Sequence, residues 1–327
     1  MKILVIRFSS IGDIVLTTPV IRCLKRQLGA EIHYYTKPAF QSILEANPYI
    51  DKVHLLPKGR FPFLKQLREE NFDYIVDLHN NLRTRLVKLY LGRPSMAFRK
   101  LNFEKFLLVN FKINRLPDTH IVDRYLDTVR KLQVRDDGEG LDYFIPKNAE
   151  VDLSQLPPTH QSGYDAMVVG ASFGTKRLPL HKLRELSQVI SNPIVVLGGK
   201  EDMEAGDYLE KTFPGKVYNG VGKYSLNQSA SLVRQANTVY SHDTGLMHIA
   251  AAFQKKIVSI WGNTVPSFGM YPYKTPFEVI ENKALPCRPC SKIGYNQCPE
   301  GHFLCMEALR FEADKRSSES VKHTGTA

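Results

Sequence analysis

Ser241-His242-Asp243-Thr244-Gly245-Leu246-Met247-His248-Ile249-Ala250-Ala251-Ala252 is the stretch on which the reading of this chain turns. Asn237 to Tyr240 ahead of it is short and β-prone. Beyond Gly245, residues Leu246, Ile249, Ala250 and Phe253 fall on one side of a helix. Lys256 to Trp261 then reads as another strand. The order is strand, sharp turn, helix, strand, with a carboxylate, a hydroxyl and a glycine in the turn. A helix start exposes unpaired N–H groups and a partial positive charge, which suit an anion such as a diphosphate. A helix cap from Asp243 or Thr244 is the simpler alternative.

Working outward, the same alternation fills the chain. Lys2 to Phe8 reads as a strand, Ser9-Ser10-Ile11-Gly12-Asp13 as a tight loop, and Ile14 to Leu28 as a helix containing Pro19. Ala30–Thr36, Lys52–Leu56 and Asp73–His79 read as further strands, with helices from Leu82, over Phe103–Phe111 and over His120–Leu132. The pattern breaks between Pro146 and Gly163 and restarts with strands at Tyr164–Ala171, Pro193–Leu197 and Lys216–Tyr218. This predicts an α/β protein with two doubly wound halves facing a central cleft. Residues 1–150 are expected to form one half and 151–312 the other, and 313–327, small, polar and charged, are expected to be disordered.

At 327 residues and 43% hydrophobic content, the chain is long enough for two cores. No run of eighteen apolar residues suggests a membrane span, and a cytoplasmic protein is the default. The net charge is +11. Between Arg83 and Lys105 seven basic residues face one acid, Glu104, with leucines and aromatics interleaved. Such a stretch attracts an anionic partner, and no nucleic-acid signature accompanies it.

Four constellations could carry chemistry. In the first loop, Gly12 allows a tight turn and Asp13 faces the crevice, as a general base or as a helix cap. No Gly-x-Gly-x-x-Gly is present there, which weighs against a dehydrogenase. Gly170 to Pro179 offers Ser172, Thr175 and Lys176 to a phosphate, with Arg177 read as a surface pair. Leu197-Gly198-Gly199-Lys200-Glu201 lets a ligand approach the backbone, and Glu201 could accept from a ribose hydroxyl. Cys287, Cys290, Cys298 and Cys305, with His302 as an alternative ligand, suggest a structural zinc site or a metal-free thiol cluster. Cys23 is read as core. No Asp-x-Asp triplet occurs, so the usual carboxylate clamp for a cation on a nucleotide sugar is missing.

With these residues placed, the chain resembles the lipopolysaccharide heptosyltransferases, glycosyltransferase family 9. Ser-Ser-Ile-Gly-Asp, the Lys-Arg-x-Pro loop at Lys176–Pro179, Leu-Gly-Gly at Leu197–Gly199 and Asp-Thr-Gly-x-x-His-x-x-Ala-Ala match in order. The resemblance implies a GT-B fold, an ADP-heptose donor, and transfer to the inner core of lipopolysaccharide at the cytoplasmic face of the inner membrane. It implies Asp13 as the base of an inverting, metal-independent transfer needing no cofactor. It implies donor contacts from Lys176, Asp243, Thr244, Gly245 and His248. The reading of the residues adds Ser172, Thr175, Gly198 and Glu201 on the donor side. On the side of a phosphorylated lipid A–core acceptor it adds Gly12, Arg60, Arg83 and Arg85. The chain departs from the family pattern at Leu178, where relatives carry an aromatic, and at Ser241-His242, where small apolar residues are common. Alternatives are another nucleotide sugar, an epimerase on the same fold, or a non-catalytic adaptor binding nucleotide or glycan.

Overall fold

The protein is seen in a computed structural model that describes residues 1–57 and 61–312. Arg60 and the tail 313–327 lie outside the described residues. The first sheet holds β1 (Lys2–Ile6), β2 (Glu31–Thr36), β3 (Lys52–Leu55), β4 (Tyr74–Asp77) and β5 (Ser95–Ala97). The second holds β6 (Asp165–Val168), β7 (Ile194–Leu197), β8 (Val217–Asn219), β9 (Thr238–His242), β10 (Lys256–Trp261) and β11 (Phe277–Glu281). The helices are α1 (Ile11–Val15), α2 (Thr18–Leu28), α3 (Phe61–Glu69), α4 (Leu82–Leu91), α5 (Asn102–Phe111) and α6 (Ile121–Val129). They continue as α7 (Pro158–Gln161), α8 (Leu180–Val189), α9 (Met203–Thr212), α10 (Leu226–Gln235), α11 (Gly245–Ala252) and α12 (Leu304–Glu307).

Strand order is β3-β2-β1-β4-β5 in one sheet and β11-β10-β9-β6-β7-β8 in the other. All neighbouring pairs are parallel. Parallel strands covered on both faces read as unbroken apolar runs, and β6 and β7 are buried at every position. The order reverses between β1 and β4 and again between β6 and β9. In doubly wound sheets the loops leaving the carboxyl ends at such a reversal frame a crevice.

The two sheets meet across glycine. A Cβ on Gly12 would lie 2.5 Å from His248 Cδ2, and one on Gly245 would lie 2.6 Å from Ile11 Cγ2. Only residues without a side chain let α1 and α11 approach this closely. Helix α6 ties the halves a second time: Ile121 N–H donates to Gly269 O at 2.8 Å and Tyr273 Oη to Asp123 Oδ1 at 2.7 Å.

Three local expectations change. The predicted Ile14–Leu28 helix is two helices, α1 and α2, because Pro19, lacking an N–H, takes a first-turn position and starts a new helix after Thr17. Asp13 therefore sits inside a helix rather than on a loop. Strands β5 and β11 carry no apolar run that would announce them, since each is a short, largely exposed edge.

Candidate active site

Loops from both sheets enclose a cavity of about 630 Å³. Arg7 and Ser9–Asp13 come from the end of β1, His79 from β4, and Phe98, Lys100, Asn102 and Lys105 from the segment after β5. Across the gap stand Ser172, Phe173 and Lys176 after β6, and Asp243, Thr244, Gly245 and His248 after β9. Lys292 and Ile293, near the late cysteines, close one side.

Asp13 occupies the third position of α1. Its Oδ2 accepts from the Ser10 N–H at 3.2 Å and the Ser10 Oγ at 2.9 Å. Its Oδ1 lies 2.7 Å from Arg7 Nη2. Burial works upward on the Asp13 pKa, but the Arg7 guanidinium and the Ser10 donors outweigh it and hold the carboxyl below its ordinary value. Arg7 is buried and immobilised in turn. Its Nε donates to Ser9 O at 2.7 Å, and Nη1 donates to Leu78 O at 2.7 Å and Tyr125 Oη at 2.9 Å. The site thus holds an ionised carboxylate in one orientation.

On the facing wall, Lys176 Nζ lies 2.5 Å from Asp243 Oδ2, which also accepts from Thr264 Oγ1 at 3.0 Å. Thr244 is the N-cap residue of α11 in extended backbone, and its side chain makes no cap bond. Neither Asp243 nor Thr244 caps the helix by its side chain, so the first N–H groups of α11 remain available at the cavity. His248 is buried, its Nδ1 has no partner among the described residues, and burial pushes its pKa down to about 4, so the ring is neutral. Lys100 and Lys105 add positive charge on the side of Asp13, and Lys292 adds it from the segment of the late cysteines. Burial, then the nearby Arg124 charge, lowers the Lys105 pKa to about 8.

Asp13, Gly12, Ser172, Lys176, Asp243, Thr244, Gly245 and His248 are thus brought together. Gly12 is there as the contact point with His248. Thr175 is not at the cavity: it is buried, with Oγ1 donating to Tyr295 O at 2.9 Å and accepting from Tyr295 N–H at 2.8 Å. Gly198 and Glu201 stand apart from the lining, where Gly198 makes room for Asp202, whose Oδ1 pairs with Arg177 at 3.0 Å. Arg177 is more than a surface pair, because its Nε and Nη2 also donate to Ala171 O and brace the loop. Arg83 and Arg85 are exposed on α4, outside the lining. The two departures from the family pattern meet each other: Leu178 N–H donates to His242 Nε2 at 3.0 Å.

The four late cysteines are not drawn into one close cluster. Among the described residues, the set of His, Cys, Asp or Glu whose ligand atoms all lie within 4.8 Å is His33, His54 and Glu70, not Cys287, Cys290, Cys298 and Cys305. Cys305 is packed in the core with its thiol pushed up to about 12 by burial, which keeps it protonated. Cys287 Sγ is 3.9 Å from His302 Nε2. The atoms of the histidine set already have partners. His33 lies 2.8 Å from both His54 Nε2 and Glu31 Oε1, and Glu70 takes Lys52 and Lys2.

Arg7, His79, Lys292 and the aromatics Phe98, Phe173 and Trp261 were not singled out in the sequence. Arg7 alone carries a signal there, as a charge ending an apolar strand. Phe173 and Phe98 lie in stretches singled out for their polar and basic residues, so the aromatics there carry no signal of their own, and His79, Lys292 and Trp261 come from segments with no pattern pointing at the crevice.

Comparison with known proteins fits this architecture. Residues 60–302 match the family model of glycosyltransferase family 9 (heptosyltransferase), and the chain belongs to that family. It is 24% identical over 317 residues to lipopolysaccharide heptosyltransferase 1 of Campylobacter coli, covering 87% of this chain and 89% of that protein. Among solved structures it is similar to a glycosyltransferase family 9 protein of Veillonella parvula, at TM-score 0.70 and 24% identity, covering 86% of each chain. It is also similar to E. coli ADP-heptose LPS heptosyltransferase II, at TM-score 0.68 and 22% identity, covering 94% of this chain and 98% of that one. The two-sheet architecture is the GT-B fold. Among the described residues no helix is long and apolar enough to cross a membrane.

Proposed function

We propose that the protein is an inverting heptosyltransferase that moves heptose from ADP-heptose to the inner core of lipopolysaccharide without a metal ion. The carrying observation is an ionised carboxylate, Asp13, facing a lysine and an open helix start across one cavity. Residues 1–150 form the acceptor side and 151–312 the donor side. Two of the three relatives named above carry heptosyltransferase names, and one names ADP-heptose.

The donor diphosphate lies against the α11 N-terminus and Lys176. Asp243, itself held by the Thr264 hydroxyl, keeps Lys176 until phosphate oxygens replace Asp243 as its partner. Lys176 and the helix start supply the positive charge that a cation bridged by Asp-x-Asp supplies in other sugar transferases. The acceptor hydroxyl attacks the anomeric carbon from the Asp13 side. The new C–O bond forms as the bond to the diphosphate oxygen breaks, ADP leaves, and the hydroxyl proton passes to Asp13. Attack opposite the leaving group inverts the anomeric centre. Lys100, Lys105 and Lys292 attract a phosphorylated acceptor, which, being lipid-held, brings the enzyme to the membrane surface as a peripheral protein.

The test is incubation with ADP-heptose and a truncated lipid A–core acceptor, in the presence of EDTA, read by mass spectrometry and by NMR of the new linkage. One added heptose of inverted configuration is expected. Binding of ADP with no product would favour the adaptor, and product only on metal addition would remove the metal-free mechanism.

A further inference from the structure

Helix α4 buries Thr84, Val87 and Leu91, the i, i+3, i+7 face that meets the sheet. Its outer side carries a second apolar stripe at i, i+4, i+7. Leu82, Leu86 and Leu89 are 74%, 50% and 77% exposed. Arg83 and Arg85 flank this stripe and are exposed too. Helix α5 is divided in the same way. Asn102 and Lys105 line the cavity, while Phe103, Phe106 and Phe111 face solvent, with Ile113 just beyond. The exposed rings of Phe106 and Phe111 meet edge to face at 5.8 Å. Among the described residues, seven of thirteen exposed large hydrophobics fall within 82–113. That concentration on two successive helices exceeds the scatter found on ordinary surfaces.

Charge says what covers it. Residues 82–113 contain eight Lys or Arg and one acid, Glu104, which Arg99 already engages at 2.8 Å. Lys88 pairs with Asp77, Lys112 donates to the Val109, Cys287 and Pro289 carbonyls, and Lys100 and Lys105 line the cavity, which leaves Arg83 and Arg85 on the stripe; a second copy would set these arginines against each other, so self-association through this face is opposed. Apolar stripes edged by arginine match a bilayer surface bearing negative headgroups. The α5 side adjoins the cavity directly, because Asn102 and Lys105 on the same helix, and Lys100 just ahead of it, line the cavity.

We propose that the α4–α5 face seats the protein on a bilayer containing anionic lipid, with the cavity mouth at headgroup level. This rests on the reading of a lipid-held acceptor. The leucines and phenylalanines enter the acyl boundary, and the arginines stay at the phosphates. An acceptor then reaches Asp13 past Lys100 and Lys105 without leaving its membrane.

The test is co-sedimentation of the full chain with vesicles of phosphatidylcholine, with and without phosphatidylglycerol. Wild type should sediment with the anionic vesicles, partly released by salt. The double variant Leu86→Glu, Leu89→Glu should lose roughly tenfold or more in partitioning while ADP affinity is unchanged. Phe103→Ser with Phe106→Ser, on the other helix, repeats the test should the first pair melt. Wild type left in the supernatant, or variants partitioning like wild type, would overturn the proposal. So would a wild-type dimer that the leucine variant dissociates with no vesicle binding. ADP titration of the same samples separates the two readings: vesicle binding without ADP binding sinks the transferase and spares the surface.

Discussion

Arg7 Nη2 and Asp13 Oδ1 stand 2.7 Å apart, so the last turn of backbone after β1 and the first turn of α1 are locked by one ion pair. The pair fixes both the charge and the aim of the only carboxylate on the acceptor wall among the cavity-lining residues. Asp13→Asn should cost ~10²- to 10⁴-fold in turnover with ADP affinity kept. Arg7→Gln tests the pairing. Activity needs the carboxylate, whose pKa Arg7 holds down. Removing Arg7 should therefore move the acid limb of the turnover–pH profile upward. An acid limb that stays where it was would mean that Arg7 does not set the charge of Asp13.

Lys176 Nζ lies 2.5 Å from Asp243 Oδ2, and in the proposed mechanism donor phosphate competes for the same ammonium. Lys176→Ala should weaken ADP binding by roughly 10- to 100-fold, the worth of about 1.5–3 kcal/mol for a bond to a charged group. Asp243→Asn frees a lysine that has lost its guide. The double variant should then be less than additive when ADP affinity is measured by calorimetry. Strict additivity would separate the two residues.

Gly12 is set by its neighbour rather than by its own backbone. An alanine there meets the buried His248 ring at 2.5 Å, and that ring has no flexible end to swing aside. Gly12→Ala should cost about 1–3 kcal/mol in urea unfolding and should lower turnover by displacing Asp13 from the facing wall. Unchanged stability would show that the two helices separate freely.

Lys105 carries a pKa near 8, with Arg124, Lys292, Arg7 and Asp13 as the charges around it. It is cationic below that value and neutral above it. KM for a phosphorylated acceptor should therefore rise as pH passes through about 8. Lys105→Met should raise KM at pH 7 and flatten its rise. KM for ADP-heptose should not follow.

Buried histidines predict the acid limit of the fold. His54, His79, His242 and His248 are pushed to about 4, and His120 to about 3, in each case first by burial. Unfolded, they protonate near 6.5. The unfolded chain thus binds more protons, and the stability present above pH 6.5 is lost as pH falls toward 4. Thermal melts at pH 7, 5.5 and 4.5 should show Tm falling step by step. A flat Tm over this range would count against neutral burial.

Taken alone, the sequence determines the parallel α/β halves, because apolar runs and turn residues recur within windows of ten to twenty residues. The turn at Asp243–Gly245 and the loop at Ser9–Asp13 are legible for the same reason: each is a local break between a strand and a helix. Tertiary structure alone decides that Lys176 meets Asp243, that Gly12 meets His248, that Lys100 and Lys105 rather than Arg83 and Arg85 reach the cavity, and that Thr175 turns away to Tyr295. The physical reason is distance along the chain. Lys176–Asp243 and Thr175–Tyr295 depend on how distant loops of the second sheet come together, whereas Gly12–His248 and the reach of Lys100 and Lys105 depend on how the two sheets are set against each other, and the packing of α1 on α11 is written in no single stretch of residues.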